Sequence, residues 1–202
     1  MNTRYLILLA VAAVLALAAG VMAANRSEHG PARAKRGPAT RFAGAPLPAG
    51  VRMPAFALRD QDGRLVTPAR LRGRPLVVTF VYARCGALCA TAVQQVKGAL
   101  DDLATPASAI GVSVDPRGDT PSAARRFLDT VGMAGRMRFL LGSRAQLAPV
   151  WRGFAISPAS QRDERGARLV VVDAHGRQRV AFPIAQVTPE RLAHDLRALG
   201  AD

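Results

Sequence analysis

Apolar positions along the chain fall into three patterns, and each predicts a different element. Tyr5–Ala24 is an uncharged run of 20 residues directly after Arg4, long enough to cross a hydrocarbon layer of about 30 Å as a helix. Leu-Val-Val-Thr-Phe-Val-Tyr, residues 76–82, is a short unbroken run rich in β-branched residues, the signature of a central strand buried on both faces. Ile110–Val114, Arg138–Leu141, Arg168–Asp173 and Gln178–Phe182 predict further strands. Leu88, Ala92, Val96, Ala99, Leu100 and Leu103 recur at helical spacing and predict a helix from Ala87 to about Leu103.

Polar punctuation sets the boundaries. Asp60-Gln-Asp-Gly63 between Phe56–Leu58 and Arg64–Thr67 predicts an N-terminal hairpin, and Ala174-His-Gly176 predicts a second one. Thr120 followed by Pro121 starts a helix ending near Val131, Ser143 caps one carrying Leu147, Val150 and Trp151, and Thr188-Pro-Glu190 starts a terminal helix through Leu192, Leu196 and Leu199. Strands that alternate with helices predict an α/β domain over residues 51–202, its sheet covered on both faces. In such a sheet the functional edge lies at the carboxyl end of the central strand.

Residues 25–50 are rich in Pro, Gly, Ala and Arg without periodic apolar positions and read as a flexible basic tether. Residues 1–24 read as a signal anchor, or as a signal peptide cut after the small-residue signal Val21-Met22-Ala23. Counting Arg26, Arg33, Lys35, Arg36 and Arg41 against Arg4 sets the second flank in the cytoplasm. A four-residue head before a terminal apolar run instead marks export, which is the expectation adopted.

Composition narrows the function classes. Half of the 202 residues are hydrophobic, which excludes a disordered chain, and two cysteines exclude a four-cysteine zinc site. The net charge of +14 invites a nucleic-acid reading, but Lys35 and Lys97 are the only lysines, so 26 of the 28 basic residues are arginine. They are scattered, and aromatics at 5% are too sparse for base stacking. A solvated basic surface, with no nucleic acid, is the better reading.

The chemistry converges on Cys85-Gly-Ala-Leu-Cys89, which follows the central strand into a helix start. Exposed N–H groups and the positive end of the helix dipole favour thiolate there, and Arg84 adds a positive neighbour. Four residues of separation allow a reversible disulfide, a structural disulfide, or two thiolates on one soft cation such as Cu(I).

Asp60-Gln-Asp-Gly63, Leu71-Arg-Gly-Arg-Pro75, Val78–Tyr82, Cys-x3-Cys, Val112-Ser-Val-Asp-Pro116, Asp119-Thr-Pro121 and Leu141-Gly-Ser143 with Leu147-x-x-Val-Trp151 occur in order. Together they resemble the Sco (SenC) family of membrane-anchored, thioredoxin-fold proteins over about residues 54–200. The resemblance implies a central mixed sheet flanked by helices and a role in assembling the copper centre of a respiratory cytochrome oxidase. It implies a partner that is the oxidase copper-centre subunit or another copper or thiol assembly protein. It also implies an inner-membrane-anchored domain in the periplasm, or one exported after signal cleavage. Cys85 and Cys89 would be both the redox pair and copper ligands.

Two departures modify this expectation. Gly86 and Ala90 stand where the family typically has prolines, and the place of its third copper ligand, a histidine, falls near Arg165 in a 157–168 segment without histidine. His175 follows the 169–173 strand, about 17 Å from the end where the cysteines belong, and His194 and His29 lie on the terminal helix and the tether. Asp115 and Asp119 share the cysteines' sheet edge but are hard ligands, poorly matched to Cu(I). Thiol–disulfide exchange with transient Cu(I) binding is therefore the leading expectation, ahead of a non-catalytic copper chaperone. A peroxiredoxin-like peroxidase is weaker, because its Thr-x-x-Cys with downstream proline is absent.

Overall fold

A computed structural model describes residues 41–159 and 167–200. In chain order the strands are β1 (Ala45–Pro46), β2 (Leu58–Arg59), β3 (Leu65–Val66), β4 (Leu76–Val81), β5 (Ser108–Ser113), β6 (Met137–Leu140), β7 (Arg168–Val172) and β8 (Gln178–Pro183). The helices are α1 (Ala87–Asp101), α2 (Pro121–Thr130), α3 (Arg144–Gly153) and α4 (Pro189–Gly200). Six strands form one mixed sheet in the order β1-β8-β7-β4-β5-β6, and β2 and β3 pair separately. β4, β5 and β6 run parallel, while β7 is antiparallel to β4 and β8 to β7. This is the expected thioredoxin-like arrangement of a mixed sheet flanked by helices.

The unbroken apolar run of β4 follows from its central position, where all six residues are buried. Val77 and Val81 face a core shared with α1, α2 and α4, through Val93, Val96, Phe127, Leu128, Leu192 and Leu196. Leu76, Val78 and Phe80 face the opposite layer, built from α3 and the β2–β3 hairpin through Leu58, Val66, Leu147 and Trp151. The predicted helix starts hold. Thr120 Oγ1 accepts the Ala123 N–H, and Ser143 and Gln146 cap α3 reciprocally, each such cap contributing about 1 kcal/mol.

The β2–β3 turn closes as its sequence predicts. Gly63 takes φ +78°, which only glycine adopts without strain, and Asp60 Oδ1 accepts the N–H groups of Asp62 and Arg64. The hairpin then covers the free edge of β6. Gln61 Oε1 accepts the Phe139 N–H at 2.8 Å, and Leu141 N–H donates to Arg59 O at 2.8 Å. A sheet edge that would otherwise invite strand addition is thereby occupied.

Composition alone places residues 41–50 in the tether, yet Ala45–Pro46 pair with Ala181 and Val180 of β8. α4 clamps the chain just before them. Fully buried Asp195 accepts the N–H groups of Ala43 at 2.7 Å and Gly44 at 3.0 Å, and Arg191 donates to Ala43 O. His194 Nε2 lies 3.0 Å from Arg41 O. Gly44 presses against Val180 and Phe182, where a Cβ would collide. The rest of the 25–50 tether, the 1–24 segment and Arg165 lie outside the described residues. Among the described residues, no helix is long and apolar enough to cross a membrane.

Candidate functional site

β4 delivers the chain to the carboxyl edge of the sheet, and the turn after Val81 carries both cysteines. Cys85 N–H donates to Tyr82 O at 3.0 Å, and Gly86 is the N-cap of α1, without a side-chain cap. Cys89 sits in the first turn of α1, one of the positions whose backbone N–H has no helical acceptor. The two sulfurs are joined as a disulfide with the Cα atoms 5.6 Å apart. The cysteines are not equivalent. Cys89 is 1% exposed and packs among core residues, whereas Cys85 is half-buried.

The loop is held from behind by Asp119. Its Oδ1 accepts the Ala83 N–H at 2.7 Å and its Oδ2 accepts the Ser113 hydroxyl at 2.5 Å. Ser113 Oγ in turn accepts the Asp115 N–H, while Ser113 O accepts the Trp151 indole N–H at 3.0 Å. Burial pushes the Asp119 carboxyl above its ordinary range and the nearby Asp115 charge adds to this, against the bonds from Ser113 and Ala83. Both Asp119 oxygens are thus spent on positioning the chain, which removes it as a natural metal ligand.

Cys85 opens onto a cleft of about 480 Å³ between its loop and α2. Arg84, Thr120, Arg126, Phe127 and Thr130 also line it. Sequence reasoning reached Arg84 but missed Thr120 as a cleft residue, and missed Arg126 and Thr130 altogether. Their one sequence signal was that α2 starts from the loop leaving the same sheet edge.

The two histidines among the described residues, His175 and His194, stay apart from the dithiol. Pairing of Leu76 with Val172 and of Thr79 with Leu169 sets the end of β7 beside the start of β4. Gly73 N–H donates to Ala174 O at 2.9 Å, so His175 lies at the amino end of β4, the length of that strand (about 20 Å) from the cysteines. His194 is exposed on α4. Among the described residues, no three or more His, Cys, Asp or Glu side chains gather as metal ligands. Among the described residues the two cysteine sulfurs are the soft donors at this edge, a pair of the kind that suits Cu(I) when reduced and is fewer than the four N, O and S donors that Cu(II) prefers.

Compared with models of protein families, the sequence matches SCO1/SenC over residues 46–200. No curated protein matches it. Among solved structures it is similar to Bradyrhizobium japonicum ScoI with copper bound, at 26% identity and a TM-score of 0.59, over 77% of this chain and 98% of that one. It is similar to apo Sco1 of Thermus thermophilus at 25% identity and a TM-score of 0.64, over 78% and 96% of the two chains. A SCO1/SenC family lipoprotein from Bacillus anthracis shares the fold at 18% identity and a TM-score of 0.65, over 78% and 98%.

Proposed function

This chain belongs to the SCO1/SenC family, and from that premise we propose that it is an exported thiol–disulfide oxidoreductase in assembly of the respiratory oxidase copper centre. Its partner is the copper-receiving subunit or another copper or thiol assembly protein. Residues 1–24 anchor it to the inner membrane, the remainder of the 25–50 tether leads to the domain, and the domain works in the periplasm.

The observation that carries this reading is the unequal exposure of the two sulfurs at the carboxyl edge of the sheet. Cys85 faces the cleft and Cys89 lies behind it. In the dithiol state the Cys85 thiolate attacks one sulfur of a partner disulfide. A mixed disulfide forms, and the other partner sulfur leaves as thiolate and takes a proton from water. Cys89, as thiolate, then attacks Cys85 Sγ, closing the internal disulfide and releasing the second partner thiol. The partner gains two electrons and the dithiol loses two.

Copper enters as cargo. Two thiolates hold Cu(I) in transit, and this donor set supports the same pair serving both chemistries at different moments. The copper bound to the B. japonicum relative supports that second use.

The test is trapping. With Cys89→Ser the full chain should accumulate a mixed disulfide on Cys85 with an oxidised cysteine peptide, while Cys85→Ser should accumulate none. Equal trapping by both variants, or a Cys85–Cys89 bond that yields only after denaturation, would return the pair to a structural role.

A further inference from the structure

We propose that the cleft beside Cys85 selects partner disulfides flanked by acidic residues, with Arg84 and Arg126 as the groups that read the charge. This rests on the thiol-exchange reading and names the substrate class of the same site.

Among the described residues, some arginines are already paired with carboxylates and others are not. Arg125 pairs with Asp62 at 3.2 Å, Arg136 with Asp101 at 2.6 Å, and Arg179 with Asp173 at 3.0 Å. Arg126 is the immediate neighbour of Arg125, but it lies on the cleft side of α2, exposed. Arg84, also exposed, adjoins the attacking cysteine. Among the described residues no carboxylate pairs with either guanidinium, and the residues lining the cleft include no acidic one. Asp119, the nearest carboxylate to the cysteine loop by hydrogen bonding, has both oxygens occupied by Ala83 and Ser113.

The remaining walls suit a short stretch of chain. Phe127, Val131 and Ala123 supply apolar contact, and Thr120 and Thr130 supply hydroxyls. About 480 Å³ lies within the range of roughly 300–1,000 Å³ for small-molecule sites, room for the side chains flanking a cysteine.

Charge here acts on rate through two physical effects. A thiolate approaching a disulfide flanked by carboxylates is repelled, and those carboxylates raise the pKa of the leaving thiol, which slows its departure. Two guanidiniums, which keep their charge at any working pH, reverse the first effect and offset the second. Bonds made and broken are those of the exchange above. The dithiol form that starts each cycle is regenerated by an external dithiol.

The experiment compares two peptide disulfides of equal length, one flanked by Glu and the other by Gln, in single-turnover exchange with the reduced full chain. The Glu peptide should react about tenfold faster at low salt, and the advantage should shrink as salt rises. Arg126→Glu should bring the ratio of the two rates to one or below, as should Arg84→Glu. Arg177→Glu, an exposed position at the opposite pole, makes the same change in net charge and should keep the ratio. A ratio of one in the unmodified chain overturns the inference and leaves thiol exchange standing, and so does equal loss of the ratio in the Arg177 and Arg126 variants. Exchange with neither peptide overturns both.

Discussion

The Asp119 carboxylate accepts the backbone N–H of Ala83 across 36 residues of sequence, at 2.7 Å. One carboxyl therefore fixes the stem of the cysteine loop from the loop that precedes α2. Asp119→Ala leaves the Ala83 N–H and the Ser113 hydroxyl without their acceptor. Each unsatisfied group costs about 1–3 kcal/mol when buried, so two of them would cost roughly 2–6 kcal/mol, and because both bonds are part-buried denaturant unfolding should show a loss toward the low end of that range. Asp119→Asn keeps an acceptor for Ala83 and should lose much less.

The same pair of variants tests a pH dependence. The Asp119 carboxyl titrates above its ordinary range in the folded protein because it is buried. The protonated form is thus favoured by folding, and its stabilisation is complete below the unfolded value of about 3.8. It is lost as pH rises through the folded value. The stability of the wild type relative to Asp119→Asn should fall over that window and be level above it. A difference independent of pH would contradict the assignment.

Asp173 should behave with the opposite sign. Burial alone would raise its carboxyl, but the Arg177 N–H, the Arg179 guanidinium and the His175 N–H together hold it below the usual range. Its contribution is present above the unfolded value and disappears as pH falls through the folded one. Asp173→Asn should therefore cost stability at neutral pH and match the wild type in acid. Unfolding curves between neutrality and pH 3 decide this.

Ala155 follows α3 with φ +51°. Ile156 N–H donates to Trp151 O and Ala155 N–H to Arg152 O, the bonding of a Schellman helix end, whose left-handed residue is normally glycine. Ala155→Gly should stabilise the domain by about 0.5–1 kcal/mol, raising the thermal midpoint by about 1–4 °C. A lower midpoint would show that the methyl group contributes more than the strain costs.

Copper binding should follow the donor count. The reduced full chain should take up one Cu(I) and hold Cu(II) weakly, and Cys85→Ser should abolish uptake. Arg165→His adds an imidazole to the segment that lacks one and should strengthen Cu(II) retention, read by metal analysis after desalting. Tight Cu(II) in the unmodified chain that is lost on His175→Ala would contradict the separation set by the pairing of β4 with β7.

The central architecture was legible because burial leaves a local mark. The apolar run of 76–82, the Asp60–Gly63 turn and the Thr120 and Ser143 caps each declare themselves within a few residues. The second hairpin accounts for β8 running antiparallel to β7, whereas the antiparallel pairing of β7 with β4, which sets His175 far from the dithiol, is a tertiary fact. β1 was not legible. Two residues, Ala45 and Pro46, form a strand only because β8 and Asp195 lie beside them, and Gly and Pro around them carry the opposite local preference. The cleft was half legible, since the cysteines and Arg84 are adjacent in sequence while Arg126 arrives on a helix whose placement is a tertiary fact. The role of Asp119 was missed for a related reason. An acidic residue on a functional edge looks like a ligand until its acceptors are seen to be occupied by the chain's own N–H and O–H groups.

The clamp on residues 41–44 also has a mechanical consequence. Tension applied through the preceding chain meets the Asp195, Arg191 and His194 contacts and the two-residue pairing of β1 with β8 before anything else. Those contacts sit at the outer edge of the sheet, with β8 and β7 between them and β4. A pull would therefore load the edge strand and its α4 contacts before it reached β4 and the Cys85 turn that follows it.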